Sequence, residues 1–415
     1  MALVHIVGAG LAGLAAAVRL TLQGRQVALW EAAAQAGGRC RSYFDRTLGR
    51  VIDNGNHLLL SGNRSAMAYL DAIGARASLM GPPDCSFPFM DLATGERWVV
   101  RPNRGPLPFW IALPSRRVPG TRTRAYLAGW RLARAAPAQT VADCLDPRDP
   151  LWRALWDPLA TAVLNTPPET GSAHLLWAAL QESFARGAAG CRPLIARESL
   201  AASLVEPALA LLARHGVEPA FGHRLRAIER DGRALALDFV QGTVPLGDRD
   251  RVIVALPPGQ AGAILPEIAV PEGSHPIVNG HFRLPQPLPG RPILTGLIGG
   301  TAQWLFLRDD LVSLTVSAAD ALAEEPADAI AARLWADTAK VLDLPASPRA
   351  PGRIVKERRA TFAQTPAAAA ARPAARTRWP NLVLAGDWTA TGLPATIEGA
   401  IRSGHTAADL CAASD

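Results

Sequence analysis

The spacing of apolar residues at the start of the chain predicts a strand, a helix and a second strand in close succession. Residues 3–7 are almost all apolar and lead into the turn Gly8-Ala-Gly-Leu-Ala-Gly13, which an alanine-rich helical stretch follows. A second apolar run, 26–30, ends at Glu31. A strand, a turn with three spaced glycines, a helix and an acid about 20 residues later are typical of a βαβ unit that binds a dinucleotide. An ordinary structural turn is the alternative interpretation.

The residue types in this turn each have a physical reason. Gly8 permits the tight turn out of the strand, the bare backbone at Gly10 lets a phosphate approach, and Gly13 lets the helix pack closely on the sheet. The N-terminus of the helix, with Leu11 and Ala12, offers unpaired N–H groups to a pyrophosphate. Glu31 stands where an acid accepts a hydrogen bond from a ribose 2′-hydroxyl.

The apolar pattern of the remaining chain predicts a mixture of helices and strands without an internal repeat. The expected helices lie over 62–74, over 121–215 where prolines break them, over 326–342, and from near Thr396 onward. The expected strands are a hairpin over 84–101, short strands at 217–220, 225–230 and 234–239, a buried strand at 251–256, a strand-rich region over 276–318, a charged strand end at 356–359, and a buried strand from 381 that ends in Gly386-Asp387. Residues 363–378 are expected to form a loop or a short helix.

These elements predict an interleaved arrangement of two domains. The nucleotide-binding elements fall in residues 1–75, 216–265 and 380–415, and the intervening pieces, 76–215 and 266–379, form a second domain. A chain of 415 residues is long enough for two domains with a sizeable core.

The amino-acid composition indicates where in the cell the protein lies but says little about its function. The five cysteines are scattered without a C-x-x-C pair, which favours a reducing cytoplasm and argues against a disulfide framework or a metal site. No apolar run is long enough for a transmembrane helix, and the N-terminus lacks the features of a signal peptide. The net charge is +7, and almost all of the positively charged residues are arginines. This charge does not by itself indicate nucleic acid or another partner.

One segment, residues 97–135, has a composition of its own. It contains nine arginines and no acid, and the apolar run Leu107-Pro-Phe-Trp-Ile-Ala-Leu113 lies among them. An apolar projection flanked by arginine suits peripheral contact with an anionic membrane on its inner, cytoplasmic face. The alternative is a basic face around a substrate-domain lid.

Two further motifs resemble those of the amine oxidase and phytoene desaturase flavoprotein superfamily. Ala36-Gly-Gly-Arg39 follows the acid, as in the segment that wraps FAD in those proteins, and Ala385-Gly-Asp387 with the later Gly392-Leu-Pro394 is similar to their C-terminal FAD motif. The resemblance implies the fold class α/β, with a Rossmann-type FAD-binding domain interleaved with a mixed α+β substrate domain, and FAD bound non-covalently. The last helix would point its positive N-terminal end at the flavin.

Four segments narrow the resemblance to the bacterial hydroxysqualene dehydroxylases. They are residues 52–60, 163–169, 358–366 and 385–400. Asn56 stands where many members have Gln, a closely related amide. The resemblance implies reduction of hydroxysqualene to squalene in hopanoid synthesis, with loss of water and a hydride from reduced FAD, and hence a lipophilic C30 isoprenoid substrate. The external electron donor stays unknown, and nucleic acid is not an expected partner.

The resemblance and the glycine turn together give a set of expected site residues. His57 is the candidate for proton donor or for a hydrogen bond to the leaving group, since an ordinary imidazole pKa suits that task; a purely structural histidine is the alternative. For Glu398 the helix dipole alone explains an acid in the first turn. The expected cofactor contacts are Gly8, Gly10, Leu11, Ala12, Gly13, Glu31, Ala32, Gly37, Gly38, Arg39, Asn54, Gly55, Asn56, His57, Leu225, Gly386, Asp387, Leu393, Pro394, Ala395 and Thr396.

Three other functions stay open on the sequence. A carotenoid-type or polyprenoid desaturase or isomerase needs the same apolar tunnel and the same flavin. Amine oxidases of this superfamily usually carry a flavin-facing lysine and an aromatic cage, whereas this chain has only Lys340 and Lys356, and residues 360–366 contain a single aromatic residue, Phe362. A non-catalytic scaffold with an FAD fold is the third alternative.

Overall fold

The computed structural model describes residues 2–413, which form five sheets and fourteen α-helices. The strands are β1 Leu3–Val7, β2 Gln26–Trp30, β3 Ser42–Asp45, β4 Arg50–Asp53, β5 Leu59–Leu60, β6 Leu79–Met80, β7 Phe87–Asp91, β8 Arg97–Val100, β9 Pro193–Ala196, β10 Leu225–Asp231, β11 Arg233–Phe239, β12 Gly242–Pro245, β13 Arg251–Val254, β14 Ser274–Arg283, β15 Leu294–Ile298, β16 Trp304–Arg308, β17 Leu311–Val316, β18 Gly352–Phe362 and β19 Leu382–Leu384. The helices are α1 Leu11–Leu22, α2 Arg64–Ala72, α3 Thr123–Leu127, α4 Val141–Cys144, α5 Asp157–Leu164, α6 Ala173–Glu182, α7 Ala188–Cys191, α8 Leu200–Leu204, α9 Glu206–Arg214, α10 Pro258–Ile264, α11 Asp320–Glu324, α12 Ala327–Leu342, α13 Pro366–Ala370 and α14 Ile397–Ala412.

A four-stranded parallel sheet brings distant parts of the chain together in the order β19-β13-β1-β2. Its strands are apolar on both sides, as expected of a parallel sheet covered by helices. Helices α1 and α14 pack against each other so closely that a Cβ at Gly404 would lie 2.1 Å from the carbonyl oxygen of Ala12. The glycine is therefore required by the helix contact.

A seven-stranded, mostly antiparallel sheet forms the second layer, in the order β18-β14-β17-β16-β15-β7-β8. Helix α12 packs against its β14–β18 side, where residues such as Leu334 and Trp335 are buried. Helices α3 to α7 build a third region beside this sheet, with a core of tryptophan and leucine side chains. A π-helical turn, Trp152–Trp156, precedes α5, whose second residue is Pro158. Proline has no N–H for the regular helical bond, which accounts for the widened turn.

Most of the predicted elements are present, and three expectations are wrong. Residues 217–220 form no strand, and Ala220 pairs with Trp30 in an isolated β-bridge. The region expected to be helical over 121–215 contains β9. The charged run 356–359 lies inside β18 and not at a strand end. Because β18 is the edge strand of its sheet, charged side chains remain partly solvated along its length.

The helices within residues 2–413 include short amphipathic ones and longer ones such as α12 and α14, each of 16 residues. None there combines the length with the apolar character that a membrane span requires.

Candidate active site

One large cavity, about 1500 Å³ in volume, lies between the parallel sheet, the seven-stranded sheet and the helical region. Single-ligand pockets usually measure about 300–1000 Å³. The cavity is therefore large enough for a dinucleotide together with a second, elongated ligand.

The glycine turn forms one end of the cavity and leaves its backbone bare. Gly8 has a φ of +107°, and a Cβ there would lie 2.5 Å from the carbonyl oxygen of Ala255. A Cβ at Gly10 would meet no atom within 4 Å, so the space above this residue is open to a ligand. Gly13 does not line the cavity; a Cβ there would lie 1.8 Å from the carbonyl oxygen of Gly8. Gly13 thus lets α1 approach the turn, and its expected contact with the cofactor stays a prediction.

Glu31 is held in place at the same end of the cavity. Its Oε2 accepts from the backbone N–H of Ala9 at 2.7 Å, and its Oε1 accepts from that of Ala33 at 2.8 Å. The rings of Trp30 and His223, 5.3 Å apart, line the neighbouring wall. A carboxylate fixed by two N–H groups keeps lone pairs available for hydroxyl groups of a ligand.

An ion pair joins the two sequence motifs that lie far apart in the chain. Arg39 Nη2 lies 2.8 Å from Asp387 Oδ1, and Arg39 Nη1 donates to the carbonyl oxygen of Ala360 at 2.6 Å. The pKa of Arg39 is raised, chiefly by the negative charge of Asp387. The Gly-Gly-Arg segment and the C-terminal Gly-Asp segment are therefore fixed to each other at the cavity wall.

A buried amide clamps the loop that carries His57. Asn279 on β14 is fully buried, and its Oδ1 accepts from Asn56 Nδ2 at 3.2 Å and from Thr315 Oγ1 at 2.9 Å. Asn54 Nδ2 donates to Glu357 Oε2 at 2.9 Å. The seven-stranded sheet thus fixes the loop, and His57 faces the cavity.

The protonation of His57 differs from the sequence-based expectation. Burial lowers the pKa of His57 from its ordinary value to about 4, although the nearby charge of Asp53 opposes the shift. The imidazole is therefore neutral at physiological pH. An ordinary pKa favours a proton donor at this position, and the lowered pKa removes that support because burial disfavours the charged imidazolium.

Glu398 has a structural role in this arrangement. Its two carboxylate oxygens accept from the backbone N–H groups of Ser65 at 2.9 Å and Ala66 at 2.8 Å, at the start of α2. Arg402 Nη2 also donates to it, at 3.1 Å. The carboxylate caps α2 and pairs with a cation. These two interactions are enough to explain why Glu398 is buried, without a catalytic role.

The other end of the cavity is an apolar chamber. Apart from a few polar groups near His57, its walls are aromatic and aliphatic, and they come from the helical region and the seven-stranded sheet. The chamber is lined by Phe87, Phe89, Leu107, Trp110, Ile111, Tyr126, Leu127, Trp130, Leu155, Trp156, Leu159, Val163, Trp177, Phe184, Trp304 and Phe306. Such a wall suits a long hydrocarbon and excludes water.

The structure brings nearly all the sequence-predicted residues to this one cavity. Those that line it are Gly8, Gly10, Leu11, Ala12, Glu31, Ala32, Gly37, Gly38, Arg39, Asn54, Gly55, Asn56, His57, Leu225, Gly386, Asp387, Leu393, Pro394, Ala395 and Thr396. Thr396 is the N-cap of α14, and its hydroxyl accepts from the N–H of Gly399.

Sequence reasoning missed three buried polar side chains around the site: Asn279, Gln364 and Arg372. Asn279 follows the apolar residues 276–278 of its strand. A single amide in that position is the feature of the sequence that could have indicated a buried polar site residue. Gln364 and Arg372 lie in a stretch that reads as an ordinary surface loop. Apart from Thr391 Oγ1, which accepts from Arg372, the partners of these two side chains are backbone groups, which leave no mark in the sequence.

The comparisons with known proteins agree with this geometry. The sequence profile described as "Flavin containing amine oxidoreductase" matches residues 11–412. Among solved structures, a putative protoporphyrinogen oxidase from Exiguobacterium (TM-score 0.69, 18% identity, 98% of each chain covered) shares the fold. So does cyclohexylamine oxidase from Brevibacterium oxydans (TM-score 0.72, 17% identity, 99% of this chain and 98% of that chain). Fold and cavity therefore define an FAD-dependent oxidoreductase.

Sequence relatives narrow the class further. A hydroxysqualene dehydroxylase from Rhodopseudomonas palustris is 48% identical over 98% of this chain and 97% of its own length. A second, from Zymomonas mobilis, is 44% identical over 99% of both chains. The chain belongs to the flavin-containing amine oxidoreductases and, within them, to the hydroxysqualene dehydroxylase family.

Proposed function

We propose that this protein reduces hydroxysqualene to squalene. The observation that carries the proposal is the single continuous cavity, in which a dinucleotide end meets a water-excluding apolar chamber at the loop of His57. The full-length similarity to hydroxysqualene dehydroxylases supports the same substrate. A carbinol on a long hydrocarbon needs such a chamber and only a few polar groups.

The residues present fit FAD. The open backbone at Gly10 and the N-terminus of α1 suit a pyrophosphate, the fixed carboxylate of Glu31 suits ribose hydroxyls, and the paired Arg39 and Asp387 border the flavin half. When bound, FAD in its reduced form supplies the hydride for the reaction. The cofactor-binding elements on the parallel sheet and the chamber-forming elements are, in this proposal, the two interleaved domains expected from the sequence.

The protein's own contribution is orientation and exclusion of water. The chamber would hold the hydrocarbon, and the neutral imidazole of His57 would donate a hydrogen bond to the substrate hydroxyl. Departure of the hydroxyl as water takes one proton, drawn from solvent, in addition to the hydride that replaces it. Because the pKa of His57 is about 4, the imidazolium is a minor species at neutral pH. A hydrogen bond to the leaving group therefore fits His57 better than the role of a strong acid.

Anaerobic turnover tests the proposal directly. Dithionite-reduced protein is incubated with hydroxysqualene, and the products are identified by mass spectrometry. Squalene formed only after flavin reduction supports the proposal, and unchanged alcohol with verified reduced flavin contradicts it. Carotene desaturation on the oxidised protein would favour the desaturase alternative. A colourless protein that takes up no flavin would favour the scaffold.

We also propose that the protein is cytoplasmic and that the segment 97–135 rests on the membrane at the chamber mouth. Leu107, Phe109 and Trp130 are 61%, 68% and 52% exposed, and Leu107 and Trp130 also line the cavity. Most arginines of this segment have no carboxylate partner among the described residues. Exposed apolar groups beside free cations suit an anionic bilayer, from which a polyene could enter.

Vesicle co-sedimentation tests the membrane proposal. We expect binding to anionic phospholipid vesicles that weakens with salt, and a loss of about tenfold or more in Phe109→Ser, since a bulky apolar side chain no longer enters the bilayer. Phe44→Ser is the matched control, because Phe44 is 63% exposed on the separate β3–β4 hairpin. Equal binding of the two variants would contradict the proposal.

A further inference from the structure

The segment between β18 and β19 places two buried side chains against the cavity wall. Gln364 is fully buried, and its Oε1 accepts from the N–H of Ala395 at 2.7 Å. Arg372 is 8% exposed and lies after the short helix α13. Both side chains contact the loop 386–396, whose residues line the cavity.

Arg372 holds this loop at three points. Its Nη1 donates to the carbonyl oxygen of Leu393 at 2.5 Å, and its Nη2 donates to the carbonyl oxygen of Asp387 at 2.9 Å and to Thr391 Oγ1 at 2.7 Å. The ring of Phe362, which lines the cavity, lies 5.6 Å from the guanidinium carbon. A planar guanidinium can bridge both ends of a loop in this way, whereas a lysine ammonium cannot.

The charge of Arg372 is not neutralised by a dedicated partner. Within residues 2–413 no carboxylate lies at ion-pair distance from it, and the nearby Asp387 is paired with Arg39. Burial lowers the pKa of Arg372 to about 10, so the group stays charged at neutral pH. Asp387 is one carboxylate between two guanidinium groups, and Glu357, the other carboxylate that acts on Arg39, also pairs with Arg41 at 3.8 Å. The positive charge of Arg372 behind this wall of the cavity is therefore left without a balancing carboxylate.

The loop lies at the chamber end of the cavity. Gln364, which binds Ala395, also donates through Nε2 to the carbonyl oxygen of Leu164 at the end of α5. Leu159 and Val163 on that helix line the apolar chamber. Glu31 and its neighbours lie with the first βαβ unit instead. A positive charge behind this loop therefore acts near the redox-active half of a bound dinucleotide and not near its adenosine half.

We propose that Arg372 is a positioning residue that fixes the loop 386–396 for flavin binding and, through its buried charge, favours the reduced, anionic flavin. This inference rests on the FAD-dependent function proposed above. It assigns the residue two separable effects, one from its hydrogen bonds and one from its charge.

Three variants separate the two effects, with FAD affinity and flavin midpoint potential as readouts. Arg372→Met loses both the bonds and the charge, so we expect the FAD dissociation constant to rise about tenfold or more and the midpoint potential to fall. Arg372→Lys keeps the charge, so affinity falls while the potential stays near that of the unchanged protein. Thr391→Val removes one acceptor and keeps the charge, so it follows the lysine variant.

The matched control is Arg378→Met in the same chain segment. Arg378 is exposed, pairs with Glu267 and stacks on Trp379 away from the cavity. We expect it to change neither FAD affinity nor potential. Thermal unfolding of each variant separates misfolding from weakened binding. If Arg372→Met does not fold, Arg372→Gln, which also removes the charge, tests the potential, and Arg372→Lys and Thr391→Val still give the affinity result.

Wild-type affinity and potential in Arg372→Met would overturn the proposal. An equal fall of potential in the methionine and lysine variants would overturn the assignment to charge, because loop geometry alone would then explain it. Both readouts need no hydroxysqualene. Failure of the unchanged protein to convert that substrate would therefore contradict the proposed function without bearing on Arg372.

Discussion

Arg39 Nη2 and Asp387 Oδ1 form an ion pair of 2.8 Å between residues 348 positions apart in the chain. Asp387 is almost fully buried, whereas the Arg39 side chain keeps 39% of its surface open toward the cavity. One side of the guanidinium is thus committed to the protein and the other is free for a ligand. The ion pair forms part of the cavity wall, and its guanidinium group faces the cavity.

Removal of this cation should weaken both the fold and cofactor binding. In Arg39→Met the carboxylate of Asp387 stays buried without its partner, so we expect a loss of about 1–3 kcal/mol in the free energy of unfolding and a clear loss of FAD affinity. Urea unfolding and fluorescence titration with FAD measure the two. Arg19→Met is the control, since the Arg19–Asp409 pair is exposed on both sides and should contribute about 0–1 kcal/mol. Equal effects of the two substitutions would contradict the prediction.

Acid should destabilise the protein through His57. The folded pKa of about 4 lies below the ordinary value near 6.5, so the unfolded chain takes up the proton first as pH falls. This contribution to stability is complete above about pH 6.5, is lost between about pH 6.5 and pH 4, and amounts to about 3 kcal/mol. We expect His57→Gln to lose less stability than the unchanged protein between about pH 7 and pH 5 in urea unfolding. The exposed His215→Gln should retain the full loss, and a His57→Gln curve parallel to it would refute the assignment.

The same lowered pKa has a kinetic consequence. Since His57 is already neutral well below physiological pH, the pH profile of kcat/KM should show no inflection from this residue near 6.5. A stopped-flow or product-formation series across that range measures it. An inflection near 6.5 that disappears in His57→Gln would show that the imidazole titrates there after all.

Loss of the Asn279 amide should release the loop of His57. In Asn279→Leu the amide of Asn56 and the hydroxyl of Thr315 lose a buried acceptor, at a cost of about 1–3 kcal/mol. We expect lower thermal stability and a kcat that falls more than FAD affinity does. Asn381→Leu is the comparison, because Asn381 is also buried but bonds to Ala234 outside the cavity. That variant should lose stability while kcat per folded molecule is retained.

A side chain at Gly129 should alter the chamber. A Cβ there would lie 2.8 Å from the ring of Trp156, which lines the cavity, so Gly129→Ala forces the indole to move at a cost of about 1–3 kcal/mol. We expect a higher KM for the C30 substrate with unchanged FAD affinity. Gly105→Ala is the control, because Gly105 is exposed, has no positive φ, and a Cβ there would meet only Asn103 Nδ2, at 3.9 Å. An unchanged KM in Gly129→Ala would contradict a role of Trp156 in the chamber wall.

Local chemistry explains which parts of this molecule could be predicted from sequence. The turn from Gly8 to Gly13 and the acid at Glu31 have fixed spacing, because a phosphate and a ribose lie at fixed distances, so the first βαβ unit is recognisable. The C-terminal Gly386-Asp387 motif is recognisable for the same reason. Of these residues, Gly8, Gly10, Leu11, Ala12, Glu31, Gly386 and Asp387 line one cavity.

The remaining site residues depend on long-range packing. Gln364 and Arg372 bind backbone groups that are distant in sequence, namely the carbonyl oxygens of Leu164 and Leu393 and the N–H of Ala395, and any residue type provides those groups. The edge strand β18 carries charges that conceal its alternation, and β9 is a short strand within a helical region. The pKa of His57 depends on how completely the neighbouring elements exclude water, which no local pattern encodes.

The close approach of Gly404 on α14 to Ala12 on α1 has a consequence for biosynthesis. The wall formed by residues 386–396 and the helix behind it are the last parts of the cavity to leave the ribosome. Until they do, the glycine turn made at the beginning has no partner across the cavity. We therefore expect FAD to bind only after the last part of the cavity has been synthesised. A nascent chain halted before β19 should show no flavin absorbance.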